Sequence, residues 1–361
     1  MNTYSTDHRL TLDQIYNMIK AVPENVVFVE GEPGVGKSSL LDRFKADPSM
    51  SNYIVAPPID AQSMDLGDIS MPVVDRERMV TNYAPNSRFM IAEAIRQNRP
   101  VVILIDELTK SPQPVQNMLQ PLFEMRRRLG DLYLPEGSIV FCTGNLGGEG
   151  LGDALKAHTR NRLTVVEVSK PIAAEWIPWA VDTGVDPAVI AFVRQVPHTM
   201  ASYRDGDQDE NPYIFNPRKV QRSVFSPRSA VRASRYVAAR DQMDAATLRS
   251  ALRGCIGDAA AADLDAFIAY QDELPSRDSI IANPAGAPLP ASAGANVVLV
   301  FGLLASTTSE NLPAYMQYVR RLEPEWQAVF GVSLAGGSKQ HMAFKCQEFT
   351  HWARENHDIL G

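Results

Sequence analysis

Residue types and spacing suited to binding nucleotide phosphates occur in the segment GEPGVGKS at positions 31–38. It fits the pattern G-x-x-x-x-G-K-S/T, in which glycines let successive backbone N–H groups face a phosphate. The lysine of this pattern reaches the β- and γ-phosphates and the next hydroxyl coordinates Mg²⁺, so we predict these roles for Lys37 and Ser38. The residues predicted to bind ATP are Gly31, Glu32, Pro33, Gly34, Val35, Gly36, Lys37, Ser38 and Ser39.

Two acids, Asp106 and Glu107, directly follow the apolar run Val101–Ile105. A carboxylate at the end of a buried strand needs a partner, because its desolvation is costly. Magnesium supplies that partner, so we predict that Asp106 holds the ion through water alongside Ser38, while Glu107 polarises the attacking water. The alternative is an exposed strand end with two solvated acids. The phosphate-binding segment upstream favours the magnesium interpretation.

A parallel sheet must bring these strand ends to one edge, and the pattern from Glu24 to about Lys170 predicts such a sheet. Short β-branched runs alternate with longer mixed stretches at Val26–Val29, Tyr53–Ala56, Val101–Ile105, Ser138–Thr143 and Leu163–Val168. We therefore expect an α/β core with helices on both faces. The phosphate-binding segment then lies between the strand Val26–Val29 and a helix over Ser39–Lys45, as phosphate binding requires.

Two segments interrupt this alternation. Residues 63–85 are expected to form an irregular excursion before a helix over Ser87–Gln97. Residues 126–137 are expected to form a hairpin or loop, because this stretch is rich in turn formers: Gly130, Asp131, Pro135 and Gly137.

After Lys170 the strand pattern stops and helical periodicity takes over. Helices are expected around Pro187–Gln195, Ser229–Arg240 and Ala245–Tyr270, with an exposed loop over Tyr203–Pro217. The stretch 283–296 is nearly all Pro, Ala, Gly and Ser, which predicts a linker to a last helical segment over Val297–Leu360.

The sequence DELTKSPQPVQ at 106–116 and the style of GEPGVGK at 31–37 resemble the MoxR-type AAA+ ATPases. The resemblance covers about Val26–Arg240. The family fold carries an insertion in its second helix and a hairpin before its sensor strand, and segments 63–85 and 126–137 stand at both places. The resemblance implies an AAA+ core over 1–170 and a helical lid over 171–250, and the helical pattern beyond them predicts a C-terminal helical region over 251–361.

The resemblance also implies roles for three arginines and one asparagine. Asn145 stands where the family has its sensor-1 residue, which orients water near the γ-phosphate; the alternative is an Asn that forms a turn. Arg162 in Asn-Arg-Leu matches the arginine finger that reaches a neighbouring subunit, although Arg160 is close enough to take the role. Either arginine could instead cap its helix and pair with Glu167. Arg228 in Ser-Pro-Arg-Ser matches sensor 2, with a surface arginine as the alternative.

Net charge, cysteine spacing and apolar runs indicate which partners and which location to expect. The formal charge of −7 makes nucleic acid an unexpected partner, although a local basic patch is compatible with it. The three cysteines Cys142, Cys255 and Cys346 lie far apart, with no CxxC pair. No apolar run reaches the ~18 residues that a membrane span needs, so we expect a cytoplasmic protein without a membrane partner.

The resemblance implies a ring, expected to be a hexamer, that hydrolyses ATP with Mg²⁺ at its interfaces and remodels, assembles or activates a protein client. It also implies a partner with a von Willebrand A domain. Two other classes stay open. A nucleic-acid motor, such as a helicase or restriction-type translocase, would be favoured if the arginines at 126–128 lined a pore, and an ATP-gated scaffold would bind ATP with little turnover.

Overall fold

The structure is a computed structural model that describes residues 8–146, 155–272 and 274–360. Two compact units comprise residues 1–170 and 171–361. The strands of the first unit in the described ranges are β1 Arg9–Leu10, β2 Val27–Glu30, β3 Ile54–Val55, β4 Ile59–Asp60, β5 Ser70–Asp75, β6 Val80–Pro85, β7 Val101–Asp106, β8 Arg128–Leu129, β9 Leu132–Tyr133, β10 Ile139–Gly144 and β11 Thr164–Val168. Its α-helices there are α1 Leu12–Ala21, α2 Leu40–Ala46, α3 Ile91–Gln97, α4 Gln113–Leu119 and α5 Ala157–Arg160.

The main sheet of the first unit has the strand order β1-β11-β2-β10-β7-β3, and β4 also pairs with β7. Every pairing in this sheet is parallel. Strands β2, β10 and β7 therefore lie side by side with their carboxyl ends at the same edge. The phosphate-binding loop follows β2, the acid pair lies at the end of β7, and Asn145 follows β10.

Side chains of the central strands alternate between two hydrophobic clusters, as the two-residue period of a strand requires. In β7, Val101, Ile103 and Ile105 pack in one cluster with α3 and α4. Val102 and Leu104 pack in the other cluster with α1 and α2. Helices therefore cover both faces of the sheet, and the predicted α/β core with a parallel sheet is confirmed.

Both interrupting segments contain antiparallel hairpins. Strands β8 and β9 form the hairpin expected at 126–137. Strands β5 and β6 pair over six residues each, so the prediction of an irregular excursion at 63–85 was wrong. The physical reason is that most side chains of this ribbon are exposed, so one buried face did not impose an alternating pattern on its sequence.

The described part of the second unit contains helices and no strands. Its α-helices are α6 Ala173–Asp182, α7 Pro187–Gln195, α8 Pro227–Ala238, α9 Ala245–Ile256, α10 Asp258–Asp272, α11 Arg277–Ala282, α12 Ala293–Ser306, α13 Leu312–Val319, α14 Pro324–Gly336, α15 Gln340–Ala343, α16 Gln347–Glu355 and α17 His357–Leu360. The helical region expected after residue 170 is therefore confirmed. None of the helices in the described ranges combines the length and apolar character needed to cross a bilayer.

Three expectations for the second unit need correction. A single hydrophobic cluster extends from Ala173 in α6 to Trp352 in α16, and residue 250 lies inside α9, so the expected boundary between a lid and a further region does not fall there. The helix expected over 245–270 is two helices, because Gly257 adopts φ +86° between α9 and α10.

The third correction concerns the stretch 283–296, which is not a free linker. Its end already belongs to α12. The Nη1 atom of Arg321 donates to the carbonyls of Pro284 and Ala287 at 2.6 and 2.8 Å, and the Tyr318 hydroxyl donates to the Pro288 carbonyl at 2.6 Å. These bonds hold the backbone of a segment whose composition alone indicated flexibility.

Candidate ATP-binding and hydrolysis site

The phosphate-binding loop runs from the carboxyl end of β2 into a 3-10 helix, Lys37–Ser39, and then into α2. Gly34 and Gly36 adopt φ +80° and +104°, in the left-handed region that favours glycine. A Cβ atom on Gly31 would lie 2.3 Å from Cγ1 of Val168. The glycines of the motif are therefore required by the path of this backbone.

Lys37 is buried, and its ammonium group lies against the loop itself. Nζ donates to the carbonyl oxygens of Gly31 at 2.6 Å and Glu32 at 3.0 Å, and to Oδ1 of Asn145 at 3.1 Å. A buried ammonium needs acceptors of this kind, because an unpaired charge is costly to desolvate. Phosphate oxygens can replace these neutral acceptors and would add an attraction between opposite charges.

Ser38 and Asp106 lie together at the same strand edge. The Ser38 hydroxyl donates to Oδ2 of Asp106 at 2.9 Å. The other carboxylate oxygen of Asp106 accepts a short hydrogen bond from the Thr143 hydroxyl at the end of β10. A hydroxyl beside a carboxylate is an oxygen donor set that suits Mg²⁺, so these two predicted metal ligands fit the ion.

Glu107 begins the turn after β7 with a left-handed backbone conformation, φ +54°. Its N–H is 3.2 Å from Oδ1 of Asp106 and 3.3 Å from the Thr143 hydroxyl oxygen, both acceptors. Such a conformation in a residue other than glycine is strained, and it persists only where surrounding contacts hold it. The strained turn directs the side chain of Glu107 toward Asn145 and Lys110.

Asn145 connects the lysine to the acid. It is buried, with 6% of its surface exposed, and its Nδ2 donates to Oε2 of Glu107 at 3.4 Å. The amide thus accepts from Lys37 and donates to Glu107, as an amide group is able to do. An asparagine placed only to form a turn requires neither contact. The residues around 147–154 lie outside the described part of the chain.

The two candidate finger arginines have different partners. Arg160 lies in α5, and its Nη2 is 3.2 Å from Oε1 of Glu30, at the end of β2. Arg162 donates through Nη1 to the carbonyl of His158 at 2.8 Å, and its Nε is 3.9 Å from Oε1 of Glu124. Arg162 therefore makes the helix-capping contact that was the alternative to a finger. The ion pairs of Arg160 and Arg162 are with Glu30 and Glu124, whereas the alternative expected Glu167.

Arg228 lies in the first turn of α8 and its side chain is exposed. Ser226 caps this helix, because its hydroxyl accepts from the N–H of Ser229 at 3.2 Å, and Pro227 occupies the first turn. The local structure expected for a sensor-2 helix is therefore present. Arg228 belongs to the second unit, so its approach to the nucleotide stays a prediction.

Sequence reasoning missed several residues that contact the predicted set, among them Thr143, Lys110 and Glu30. Thr143 was detectable as a polar residue in an otherwise apolar strand. Its neighbour Cys142 is fully buried, and burial raises the pKa of its thiol. Cys142 therefore stays protonated and is no candidate nucleophile.

No model of a known protein family matches the chain. Among solved structures, a putative ATPase from Cytophaga hutchinsonii is 14% identical, with 68% of this chain and 80% of that chain covered and a TM-score of 0.30. A point mutant of RuvB from Thermotoga maritima is 16% identical, with 86% and 92% covered and a TM-score of 0.34. NtrX from Brucella abortus in complex with ADP is 15% identical, with 96% and 68% covered and a TM-score of 0.36. Similarities this low carry no activity, substrate or partner over to this chain.

Proposed function

We propose that this chain is a MoxR-like AAA+ ATPase that hydrolyses ATP at the subunit interfaces of a ring and remodels, assembles or activates a partner protein. One observation carries the ATPase proposal. Lys37, Asn145 and Glu107 form a continuous series of polar contacts, beside the contact between Ser38 and Asp106. Groups suited to phosphate binding, metal binding and water activation thus lie together at the carboxyl ends of neighbouring strands.

The residues of this edge divide the reaction between them. Lys37 exchanges its loop carbonyls for oxygens of the β- and γ-phosphates, and the loop N–H groups bind the same phosphates. Mg²⁺, held by Ser38 and through water by Asp106, neutralises phosphate charge when bound. Glu107 orients the attacking water and accepts its proton, while Asn145 holds the water on the γ-phosphate side.

The ring proposal rests on a residue that must act on a neighbouring subunit. Arg162 is the better candidate for the finger, because its contact with Glu124 is long, at 3.9 Å, whereas Arg160 lies 3.2 Å from Glu30. Arg160 is instead tied to Glu30, whose side chain is only 14% exposed and which directly precedes the phosphate-binding loop. Arg160 therefore supports the base of its own loop. The hexamer, the protein client and a von Willebrand A partner come from the resemblance alone.

The experiment that tests the ATPase proposal compares the chain with its Glu107→Gln variant. Steady-state phosphate release should fall by about 10²-fold or more, since general-base catalysis contributes ~10²–10⁴-fold. ATP binding should persist, because the shape of the side chain and the magnesium ligands are retained. Equal loss of binding and turnover would contradict the roles given to Asp106 and Glu107. The same variant is suited to affinity capture of a client, because it is expected to retain ATP.

The nucleic-acid motor is less well supported, because two of the three arginines at 126–128 are bonded to backbone. Arg127 donates to the Pro23 carbonyl at 2.9 Å, and Arg128 donates to the Gly130 carbonyl at 2.8 Å. The Arg127 guanidinium is partly buried, and this burial lowers its pKa. Tight DNA or RNA binding with a steep salt dependence would reinstate this class. Binding of ATP without phosphate release would favour the scaffold.

A further inference from the structure

Lys110 lies beside the carboxylate of Glu107. Its Nζ is 3.0 Å from Oε2 of Glu107, and the side chains of Lys110 and Glu107 are only 25% and 29% exposed. The Lys110 N–H also donates to the Glu107 carbonyl at 3.0 Å, which closes the 3-10 turn Leu108–Lys110. Backbone and side chain of Lys110 are therefore both fixed to the residue that we propose as the base.

The ion pair and the Asn145 amide act on one oxygen of the carboxylate. Nζ of Lys110 and Nδ2 of Asn145 lie 3.0 and 3.4 Å from Oε2 of Glu107. Within the described part of the chain, Oε1 of Glu107 makes no hydrogen bond. The carboxylate is thus anchored through one oxygen, and the other oxygen is available to accept the proton of a water molecule.

The two anchors differ in how ATP affects them. Asn145 also accepts from Nζ of Lys37, so its contacts change when Lys37 moves to the phosphates. Within the described residues, the side chain of Lys110 pairs with Glu107 alone, so ATP can bind without breaking this ion pair. Lys110 therefore remains as the fixed anchor during the step in which Glu107 must be aligned.

We propose that Lys110 is a positioning residue that holds the carboxylate of Glu107 in the orientation needed to activate water. The proposal rests on the proposed ATPase function and adds a residue to its site. Lys110 acts through Glu107, so its loss should reduce turnover without reducing the affinity for ATP.

The test compares Lys110→Met with Lys110→Arg. Lys110→Met should lower kcat by about tenfold or more, since the ion pair that orients the Glu107 carboxylate is lost, while KM and the Kd for ATP stay within about twofold of the parent. Lys110→Arg keeps the charge and should recover a large part of kcat. The matched control is Lys45→Met, which removes a lysine from an exposed i,i+3 pair with Asp42, 3.3 Å apart, and should leave kcat unchanged.

A double variant separates positioning from an independent effect. If Lys110 acts only through Glu107, then Lys110→Met adds no further loss of kcat in a Glu107→Gln background. An additional loss there, an unchanged or increased kcat in the single variant, or a weakened Kd for ATP would each overturn the proposal. Turnover by the parent chain that is insensitive to Glu107→Gln would instead overturn the ATPase proposal, so the two failures are distinguishable.

Discussion

At the scale of single residues, Lys37 is the side chain whose contacts must change most on binding ATP. Its ammonium group is held by two loop carbonyls and by Asn145. Because these acceptors are neutral, exchange for phosphate oxygens gains charge-assisted hydrogen bonds. Affinity for ATP therefore depends on one positive charge, since residues 31–39 contain no lysine or arginine besides Lys37.

Lys37→Ala should lower the affinity for ATP by about a hundredfold or more, since two charge-assisted hydrogen bonds worth ~1.5–3 kcal/mol each are lost. Titration calorimetry with ATP and Mg²⁺ measures the change. Lys45→Met serves as the control, because Lys45 is exposed and forms an ion pair with the surface acid Asp42. An undiminished affinity in Lys37→Ala would contradict the assignment of the phosphate-binding loop.

Thr143 is predicted to tune the magnesium site. Its hydroxyl donates to Asp106 and accepts from the Glu107 N–H, so it fixes the metal-binding carboxylate and the start of the strained turn. Thr143→Val keeps the shape but should raise the Mg²⁺ concentration for half-maximal turnover by about tenfold, the equivalent of one hydrogen bond. Thr143→Ser should retain the parental value. A Mg²⁺ dependence that is the same in both variants would show that this hydroxyl does not orient Asp106.

The sequence allowed Lys37, Ser38, Asp106 and Glu107 to be selected because each has a residue type that its chemistry requires at a fixed spacing. Lys110 carried no such signal. A lysine three residues after a glutamate is commonly a solvated surface residue. Here the pair spans a 3-10 turn that follows the left-handed backbone at Glu107. Contacts of this kind depend on dihedral angles that the residue pattern does not specify.

At the scale of elements, the two hairpins of the first unit are joined at Tyr83 and Asp131. The N–H of Tyr83 donates to Oδ2 of Asp131 at 2.6 Å, and the N–H of Asp131 donates to the Tyr83 carbonyl at 2.9 Å. Gly130 adopts φ +53°, and a Cβ atom there would lie 2.2 Å from the backbone carbonyl oxygen of Tyr83. A glycine is therefore required for the hairpins to approach so closely.

Gly130→Ala should separate the hairpins, because the new methyl group displaces the Tyr83 carbonyl. Hydrogen exchange of the amides of Tyr83 and Asp131 should accelerate by about tenfold or more, as expected when a bond worth ~1 kcal/mol or more is lost. Gly137→Ala is the control, since Gly137 has φ +75° but only the Tyr53 hydroxyl within 4 Å, at 3.9 Å. It carries the backbone strain without the clash. Equal rates of hydrogen exchange at these amides in both variants would argue against the contact between the hairpins at Tyr83 and Asp131.

Strands β7 and β10, which are buried on both faces, were predicted to within one residue, because apolar runs mark them clearly. Strand β11 was predicted equally closely, although its first residues are exposed. The hairpin of β5 and β6 was missed, since side chains such as Val74 and Met79, 65% and 86% exposed, give no inward and outward alternation. The break between α9 and α10 was missed for another reason. A single glycine in an Ala-rich helical pattern is normally tolerated. The pattern therefore did not reveal that Gly257 adopts φ +86°, at a place where a Cβ atom would lie 2.7 Å from the Ser223 carbonyl oxygen.

At the scale of the whole molecule, the proposed ring predicts that assembly depends on nucleotide. A ligand bound between subunits stabilises the assembled form by mass action. Light scattering coupled to size-exclusion chromatography should show a larger species with a slowly hydrolysed ATP analogue than without nucleotide. Lys37→Ala should fail to respond to the analogue. A monomer under both conditions at micromolar protein would count against a ring.

Mixed assemblies test whether Arg162 acts on a neighbouring subunit, as a finger must. Arg162→Ala subunits should assemble and bind ATP but hydrolyse it slowly, by about 10³-fold or more in analogy with other fingers. Lys37→Ala subunits should also be inactive, although their finger is intact. A mixture of the two creates interfaces where an intact phosphate-binding loop meets an intact Arg162, so part of the activity should return.

Arg160 supplies the contrasting arm of the same experiment, because its ion pair with Glu30 lies within its own subunit, directly before the phosphate-binding loop. Loss of Arg160 therefore damages the loop of the subunit that carries the change, while the intact Arg162 of that subunit still serves its neighbour. In a mixture of Arg160→Ala and Arg162→Ala subunits, the phosphate-binding loops of the Arg160→Ala subunits should stay impaired. The loops of the Arg162→Ala subunits should hydrolyse ATP wherever the neighbouring subunit supplies an intact Arg162. Mixing Arg160→Ala with Lys37→Ala subunits should give little recovery, because both carry a damaged loop. Strong recovery in that last mixture, with none for Arg162→Ala with Lys37→Ala, would identify Arg160 as the finger.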